Sequence, residues 1–468
     1  MSTNNISRRN FLGKASCAAL GSVSLLSGLL NLKATGMLAA NSHRMGMRPQ
    51  GDYKALVCIL LAGGNDSFNM LVPTESQAYQ HYRTTRSNQA LEASSLLPIQ
   101  PIGGGKFGIH PSMPEVQQLF QNQNLAFVAN VGTLVEHINN RVDFSNQLNR
   151  MPVGLFSHAD QIQQWQTSVP QSRSAVGWGG KLADLLHASN ASQDISMNIS
   201  LSGNNVFQAG NQAVSYTISP FGNGSTGINE YGESDPLNEI KTAAIKNLLE
   251  QQYQDIFKQT YADITLQAQQ NHELFSSAIS QVNLNSIFSP SYVSQSFQMI
   301  AKTIAARDLL GVNRQTFFLT FGGWDHHDEL LNTQAGMLSV LSKGMGEFYA
   351  ALEEMGLSQD VTTFTISDFA RTLTSNGNGT DHGWGGNAMV MGGSVKGGRI
   401  YGQYPSLELE QDLDVGDGVL IPTTSTDEYF AELALWLGVA PSDLSLVLPN
   451  INTFYSPTSS TPPIGFLQ

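Results

Sequence analysis

One short segment of the sequence concentrates side chains that bind metal ions. Residues Gly322–Asp328 read GGWDHHD, so two carboxylates and two imidazoles occupy consecutive positions. Carboxylate oxygens and imidazole nitrogens together suit Zn²⁺ or a similar divalent cation. If the segment is extended, Asp325 and His327 project on the same side and are the predicted ligands. The alternative is a helix N-terminus capped by Asp325, with both histidines in solvent.

Acidic side chains also follow two other apolar runs. Asp66 lies in Gly63–Asn69 (GGNDSFN), where the glycines allow a sharp turn, and Asp368 follows the run Val361–Ile366. Open parallel sheets bind ligands beyond the carboxyl ends of their strands, so both acids are candidates for one site. Each also has a structural interpretation. Asp66 can cap its own turn, and Asp368 can cap a helix with Arg371 as a surface partner.

A glycine-rich loop and a helix start add further candidates. Thr380–Gly386 (TDHGWGG) has glycines beside Asp381 and His382, which indicates a tight loop that delivers these side chains to a site. Ser157, with Asp160 three residues later, fits the capping box of a helix. The positive potential at a helix N-terminus favours the alkoxide of such a serine, and a bound metal would lower its pKa further.

The distribution of histidines supports one shared site. Four of the ten histidines lie in these Gly- and Asp-rich segments: His158, His326, His327 and His382. His110, in the sequence GIHP, is a further candidate. The other five have ordinary surroundings and are predicted to be structural or exposed: His43, His81, His137, His187 and His272.

The elements that must position these residues alternate between strand and helix. The clearest apolar runs are Ala55–Leu61, Leu125–Val131, Gln315–Phe321 and Val361–Ile366. Helical patterns cover Pro114–Gln123, Leu330–Met355 and Asp427–Leu437. Strand, helix, strand in this order predicts an α/β fold with a mostly parallel sheet covered on both faces.

The middle of the chain has a different composition. Residues 195–233 are rich in Asn, Gly and Ser, and residues 236–310 are Gln-rich and helical in pattern. We therefore predict two core segments, 41–200 and 312–448, separated by a loop-rich and helical insertion at 201–311. Residues 449–468 contain several prolines and are predicted to form an extended tail.

The first forty residues predict export by the twin-arginine route. Ser7–Lys14 reads SRRNFLGK, and no acidic residue precedes Asp52. The apolar run Ala15–Leu32 ends before small residues, and we expect cleavage near Ala40. The protein would then engage the twin-arginine export machinery, become periplasmic or secreted, and have no stable membrane span in its mature form. The alternative is an uncleaved anchor, because the run approaches the ~20 residues that span a bilayer.

Charge and cysteine content exclude two classes of protein. The chain has 24 basic and 37 acidic residues, a net charge of −13, and the predicted signal removes only basic ones. Nucleic acid is therefore not a predicted partner, because phosphate binding depends on clustered Lys and Arg. Once Cys17 is removed with the signal, Cys58 is the single remaining cysteine, so no internal disulfide is expected.

Taken together, these motifs resemble the DUF1501 family. The resemblance rests on Leu60–Pro73, Phe156–Thr167, Gly322–Asp328 and Ser367–Gly398, the last of which contains SDFART, DHGWGG and MGGSVKGG. That family is of unknown function and is similar in fold to the alkaline phosphatase and sulfatase superfamily. The resemblance therefore implies a three-layer αβα fold of the alkaline phosphatase type with a helical insertion.

The same resemblance implies two divalent metal ions, Zn or Ca/Mg, in one site. Asp66, Ser157 and Asp368 would hold the first ion. Asp325, His327 and His382 would hold the second. Ser157 would then be the candidate nucleophile, and Arg371 would bind substrate oxygens.

One departure from the superfamily pattern affects this plan. Alkaline phosphatases have an Asp-His pair after the strand equivalent to Val361–Ile366, whereas here Phe369 follows Asp368. One metal would therefore lack an imidazole, for which His326 or Asp381 could substitute. Two functions remain open. One is an exported metal-dependent hydrolase of small-molecule or polymer phosphate or sulfate esters; the other is a non-catalytic extracytoplasmic protein that binds a surface polymer or a secretion partner.

Overall fold

The predicted apolar runs form neighbouring strands in one large sheet. In the described part of the chain, twelve strands form two sheets: β1 (Lys54–Ala62), β2 (Leu71–Pro73), β3 (Leu97–Ile99), β4 (Phe107–Ile109), β5 (Leu125–Gly132), β6 (Asn198–Ser200), β7 (Tyr216–Thr217), β8 (Arg314–Gly322), β9 (Val361–Ser367), β10 (Gly386–Met391), β11 (Ile400–Tyr401) and β12 (Thr424–Ser425). The main sheet has the order β11-β5-β10-β9-β1-β8-β6-β7, with β12 also beside β5. All of its strands run parallel except β10, so the prediction of a mostly parallel sheet is confirmed.

The computed structural model of the protein describes residues 53–146 and 149–468, apart from the side chain of His187. The predicted twin-arginine signal, its cleavage near Ala40 and the membrane-anchor alternative concern residues outside this description. Within the described residues, no helix has both the length and the apolar character needed to cross a membrane.

Helices connect the strands as the sequence pattern predicts. The described helices are α1 (Ser67–Met70), α2 (Ser76–Arg86), α3 (Pro114–Gln121), α4 (Arg141–Ser145), α5 (His158–Thr167), α6 (Trp178–Leu186), α7 (Pro236–Leu249), α8 (Ile256–Ser280), α9 (Tyr292–Ala305), α10 (Arg307–Leu310), α11 (Leu330–Glu354), α12 (Thr426–Leu437), α13 (Leu444–Val447) and α14 (Ile451–Phe454). The three predicted helices correspond to α3, α11 and α12, with ends shifted by one or two residues.

Apolar side chains of β1 point alternately to the two faces of the sheet, and helices cover both faces. Val57 and Ile59 belong to one apolar cluster, which includes side chains of α3, α9 and α11. Leu56 and Cys58 point to the opposite face, where α5, α6 and α12 pack. Burying each such apolar side chain contributes about 1.5–3 kcal/mol, so two-sided coverage stabilises the sheet strongly. The three-layer αβα prediction is confirmed, and Cys58 is a buried free cysteine.

The described residues divide into two compact units. One consists of Gly227–Asn271 and lies within the predicted insertion at 201–311. In this unit α7 begins after Asp235, whose carboxylate accepts a hydrogen bond from the Leu237 N–H at 2.9 Å, and Pro236 occupies the first helical position. Both features are typical helix starts. The remaining described residues form the second unit, which contains both sheets and every candidate site residue.

Candidate metal centre

Three adjacent parallel strands bring their carboxyl ends to one edge of the sheet. β1 lies between β8 and β9, and Leu61 is in register with Phe321 and with Ser367. The segments that follow therefore meet, and they contribute Gly63, Asp325 and Asp368 respectively. This register agrees with the prediction from the sequence that these strand ends converge.

Position 63, at this edge of the sheet, accepts only a glycine. Its φ is 120°, and a Cβ atom there would lie 2.5 Å from the backbone nitrogen of Asp325. A residue with a Cβ atom would not tolerate such a contact. The positive φ disfavours residues with a Cβ as well. The close approach lets the Gly63 N–H donate to the carboxylate of Asp368 at 3.0 Å.

A histidine at the start of α5 completes the cluster. Ser157 is the N-cap of this helix, and its hydroxyl accepts a hydrogen bond from the Asp160 N–H at 3.5 Å. His158 is the first helical residue. The chain before it bends sharply, because Phe156 has a φ of 73°. This local geometry turns the imidazole of His158 towards the strand ends.

Potential ligand atoms of His158, Asp325 and His382 lie within 4.8 Å of one another. The Nε2 atom of His158 is 3.1 Å from Nε2 of His382 and 3.4 Å from Oδ2 of Asp325. Nε2 of His382 is 3.7 Å from Oδ1 of Asp325. All three side chains are partly exposed, so a ligand can reach the site from solvent.

Hydrogen bonds fix the tautomers of both histidines. Nδ1 of His158 lies 2.6 Å from Oδ2 of Asp368, and Nδ1 of His382 lies 2.8 Å from the carbonyl oxygen of Phe156. Both partners are acceptors, so each Nδ1 carries the hydrogen and each Nε2 presents a lone pair. Burial lowers the pKa of His382, which favours its neutral form. Two lone pairs at 3.1 Å repel each other unless a metal ion or a proton lies between them.

This donor set fits a divalent cation. Two imidazole nitrogens and one carboxylate are a recurrent ligand set for Zn²⁺ and other transition metals, whereas Ca²⁺ and Mg²⁺ prefer oxygen ligands. The arrangement of Asp368, His158 and the cluster is that of an outer carboxylate which orients a ligating histidine. Asp368 is buried, and burial raises its pKa above the ordinary value although the hydrogen bonds from Gly63 and His158 act in the opposite direction.

Two side chains hold the Asp325 carboxylate in place. Nη1 of Arg371 donates to Oδ1 of Asp325 at 2.7 Å, and Nδ1 of His327 lies 2.9 Å from the same oxygen. Burial raises the pKa of Asp325, but the hydrogen bond and charge of Arg371, with His327 and His158, outweigh it and lower the pKa below its ordinary value. Asp325 is therefore ionised at neutral pH.

Arg371 is enclosed by the protein. Its side chain has no exposed surface, and besides Asp325 it donates to the carbonyl oxygens of Gly63, at 3.3 Å, and Thr380. The resemblance implied that Arg371 binds substrate oxygens. In this structure its donors are directed at Asp325 and at main-chain carbonyls, and substrate binding by Arg371 stays a prediction.

Asp66 is not among the residues whose ligand atoms converge. Its carboxylate forms a fully buried ion pair with Arg86 and caps α1, accepting from the Asn69 N–H at 3.4 Å. Its carbonyl oxygen accepts from Gln334 at 2.6 Å. These contacts agree with the interpretation of Asp66 as a cap of its own turn. A metal role for Asp66 stays a prediction.

The two residues considered as substitutes for a missing imidazole occupy different surroundings. His326 is buried beside Trp324, with ring centroids 6.1 Å apart. Asp381 is exposed; its Oδ1 accepts from Asn376 at 3.1 Å and lies 3.7 Å from Nε2 of His327. The imidazole that completes the cluster with Asp325 and His382 is that of His158, which the sequence analysis noted only as one of four histidines. Its sequence signal is its position directly after the predicted N-cap Ser157.

Comparison with known proteins identifies the family. Residues 53–417 match the profile described as "Protein of unknown function (DUF1501)", and the chain belongs to this family, as its motifs predicted. No curated protein matches the chain.

Several solved structures are similar over most of their length. Ps i-CgsB in complex with k-i-k-neocarrahexaose has 10% identity and a TM-score of 0.36, covering 87% of this chain and 77% of that one. The PsFucS1 sulfatase from Pseudoalteromonas sp. has 10% identity and a TM-score of 0.34, with 88% and 72% covered. A protein in the alkaline phosphatase superfamily from Vibrio parahaemolyticus has 12% identity and a TM-score of 0.32, with 77% and 69% covered. Because each TM-score is below 0.5, the chemistry of this chain has to be judged from its own residues.

Proposed function

We propose that the protein is a metal-dependent hydrolase of phosphate or sulfate esters that acts outside the cytoplasm. The observation that supports it is the convergence of three ligand groups, from His158, Asp325 and His382, at a solvent-accessible edge of the sheet. The location outside the cytoplasm rests on the twin-arginine motif in Ser7–Lys14.

His158, Asp325 and His382 would hold the ion, and His327 is a further candidate ligand beside Asp325. The donor set favours Zn²⁺ over Ca²⁺ or Mg²⁺. A bound divalent ion would supply Lewis acidity towards an ester oxygen and would lower the pKa of a nearby water or hydroxyl group.

The surrounding residues have separate tasks in this proposal. Asp368 accepts a hydrogen bond from Nδ1 of His158, which keeps the hydrogen on Nδ1 and leaves the lone pair of Nε2 for the ion. Arg371 orients Asp325 and keeps it ionised. Nδ1 of His327 lies 2.9 Å from Oδ1 of Asp325 and its Nε2 lies 3.7 Å from Oδ1 of Asp381, in a half-exposed position. It can therefore exchange a proton with a leaving group or with water.

Ser157 remains the proposed nucleophile. It is half-buried at the N-terminus of α5, directly before His158, where the helix dipole favours negative charge on its hydroxyl oxygen. Asp66 is not required in this version of the proposal, because its carboxylate is paired with Arg86. One ion, rather than the two implied by the superfamily plan, is the simpler expectation.

A second candidate function is a non-catalytic binding protein that keeps one structural metal. It is favoured by the engagement of the Asp66 carboxylate with Arg86 and of the Ser157 hydroxyl in a helix cap. Such a protein would bind metal without turning over esters.

The deciding experiment measures metal content and turnover on the same samples. The chain is purified without chelators or affinity metals, with His158→Ala combined with His382→Ala as the test variant and His81→Ala as a matched histidine control. About one equivalent of a divalent ion in wild type and control, lost in the test variant, together with hydrolysis of aryl phosphates or sulfates, supports the proposal.

Ser157→Ala with unchanged metal content then tests the nucleophile and should abolish turnover. A metal-replete protein that hydrolyses no ester in the panel supports the binding-protein alternative. Absence of metal under every loading condition would overturn both candidates.

A further inference from the structure

Two adjoining cavities lie on the second unit, away from the metal centre. One has a volume of about 470 Å³ and is bordered by the loop around Lys396. The other has a volume of about 490 Å³ and is bordered by the small β2-β4-β3 sheet. Both are lined by Ile102 and Gln123, so they adjoin, and the two together are called here the basic groove.

The basic groove lies at the opposite end of the main sheet from the metal centre. Gln123 lies two residues before β5, and Arg399 immediately precedes β11, which runs parallel to β5. Asp325 and Asp368 instead follow the carboxyl ends of their strands. The eight residues of β5 span about 26 Å at ~3.3 Å per residue, so one ligand group cannot occupy both sites.

The groove concentrates positive charge on an acidic protein. Lys106, Lys396 and Arg399 line it, and none of the described residues that line it is acidic. The whole chain has a net charge of −13. A local surplus of cations in such a chain attracts anionic ligands and concentrates them at the groove.

These cations are available for a ligand. The exposed Lys106 ammonium makes no ion pair or hydrogen bond with another described residue. Among the described residues, the Lys396 ammonium donates to the Gly465 carbonyl at 3.4 Å, and Arg399 donates from Nη1 to the Ile102 carbonyl at 3.3 Å. Lys396 and Arg399 therefore keep further N–H donors for other acceptors.

The other lining groups suit a chain of sugar units. Side-chain amides, including those of Gln100 and Gln121, can both donate to and accept from hydroxyl groups. Tyr401 and Phe107 offer an aromatic surface to each half of the groove. At Gly103 and Gly104 nothing lies within 4 Å of a hypothetical Cβ, so the backbone beside Lys106 is open to a ligand.

We infer that the basic groove binds an acidic polysaccharide, a sugar polymer with regularly spaced carboxylate or sulfate groups. The three cations contact the anionic groups, and the amides contact hydroxyls between them. This site is independent of the proposed ester hydrolysis, because it shares no residue with the metal centre.

The test measures binding of the purified full chain to three polymers: dextran sulfate, polygalacturonate and uncharged dextran. Lys106→Glu combined with Lys396→Glu is the test variant. Lys258→Glu combined with Lys343→Glu is the control, because both lysines are exposed elsewhere and the change in net charge is the same. We expect wild type and control to bind at least one anionic polymer, more weakly at higher salt, and the test variant to bind at least tenfold more weakly.

The preferred anionic polymer identifies the charged group. Equal weakening in both variants, equal binding of uncharged dextran, or no binding of either anionic polymer would overturn the inference. The variant His158→Ala with His382→Ala should bind the polymers as wild type does, which separates this result from failure of the proposed hydrolase.

Discussion

Nε2 of His158 lies 3.1 Å from Nε2 of His382, although the two residues are 224 positions apart in the chain. Each ring uses its other nitrogen to donate to an acceptor, the Asp368 carboxylate for His158 and the Phe156 carbonyl for His382. Two lone pairs therefore meet beside the carboxylate of Asp325, which is the arrangement expected of ligands prepared for a cation.

The first prediction concerns Asp368, the carboxylate that contacts Nδ1 of His158. In Asp368→Asn the amide can present a donor to Nδ1 of His158, so the hydrogen moves to Nε2 and the lone pair is lost. We expect metal affinity to fall about 10–100-fold, measured by competition with a chelating dye. Asp381→Asn, an exposed carboxylate beside His327, is the control and should change affinity less. Equal affinity in Asp368→Asn and wild type would contradict this role.

Arg371 should act through Asp325. Arg371→Met removes the donors to the Gly63 and Thr380 carbonyls, and leaving such buried groups unpaired costs about 1–3 kcal/mol each in the free energy of unfolding. Metal affinity should fall as well, because Asp325 loses its partner. Arg173→Met, in an exposed pair with Asp160, should cost less than about 1 kcal/mol. Urea unfolding with metal titration measures both effects; a loss of stability with normal metal affinity would refute the positioning role.

The Asp66–Arg86 pair should be structural. Removing one partner of a buried ion pair costs about 3–5 kcal/mol, so Asp66→Asn and Arg86→Met should each lower the free energy of unfolding by about that amount. The metal content of the folded fraction should stay as in wild type. Loss of one metal equivalent in Asp66→Asn would instead establish Asp66 as a ligand, as the superfamily plan implies.

Asp427 should make stability depend on pH. Burial raises the pKa of this carboxyl to about 7; the Ser168 hydroxyl lowers it, Glu428 raises it and Lys181 lowers it. The folded chain therefore keeps a proton that the unfolded chain, with an ordinary pKa of about 3.9, releases. The stability contributed by this carboxyl is fully present below the unfolded pKa and is lost as pH rises through about 7.

Asp427→Asn should abolish this fall. Its urea midpoint should exceed that of wild type at pH 8 and match it near pH 4, because the variant has no buried charge at either pH. The exposed Asp412→Asn serves as the control. Equal midpoints of wild type and Asp427→Asn at pH 8 as well as at pH 4 would show that the carboxyl is not held protonated.

Much of the fold was predictable because its signals are local. The run around Val57 is apolar at consecutive positions, and the run around Phe364 is rich in β-branched residues. Both patterns are typical of strands covered on both sides. Placing Asp325 and Asp368 near one another followed from parallel strand direction alone. The role of His158 was not predictable in this way, because a histidine after an N-cap is usually only a helix residue.

The sequence by itself determined the strands, the helices, the family and the segments that reach the edge with the candidate metal centre, since these depend on short-range patterns of polarity and on glycine positions. Only the tertiary structure decided which atoms meet. The contact between His158 and Asp368 joins residues 210 positions apart, and the Asp66 carboxylate forms an ion pair with Arg86 that the motif alone does not indicate. Tautomer, ionisation and ligand geometry depend on such distant partners, and no local pattern contains them.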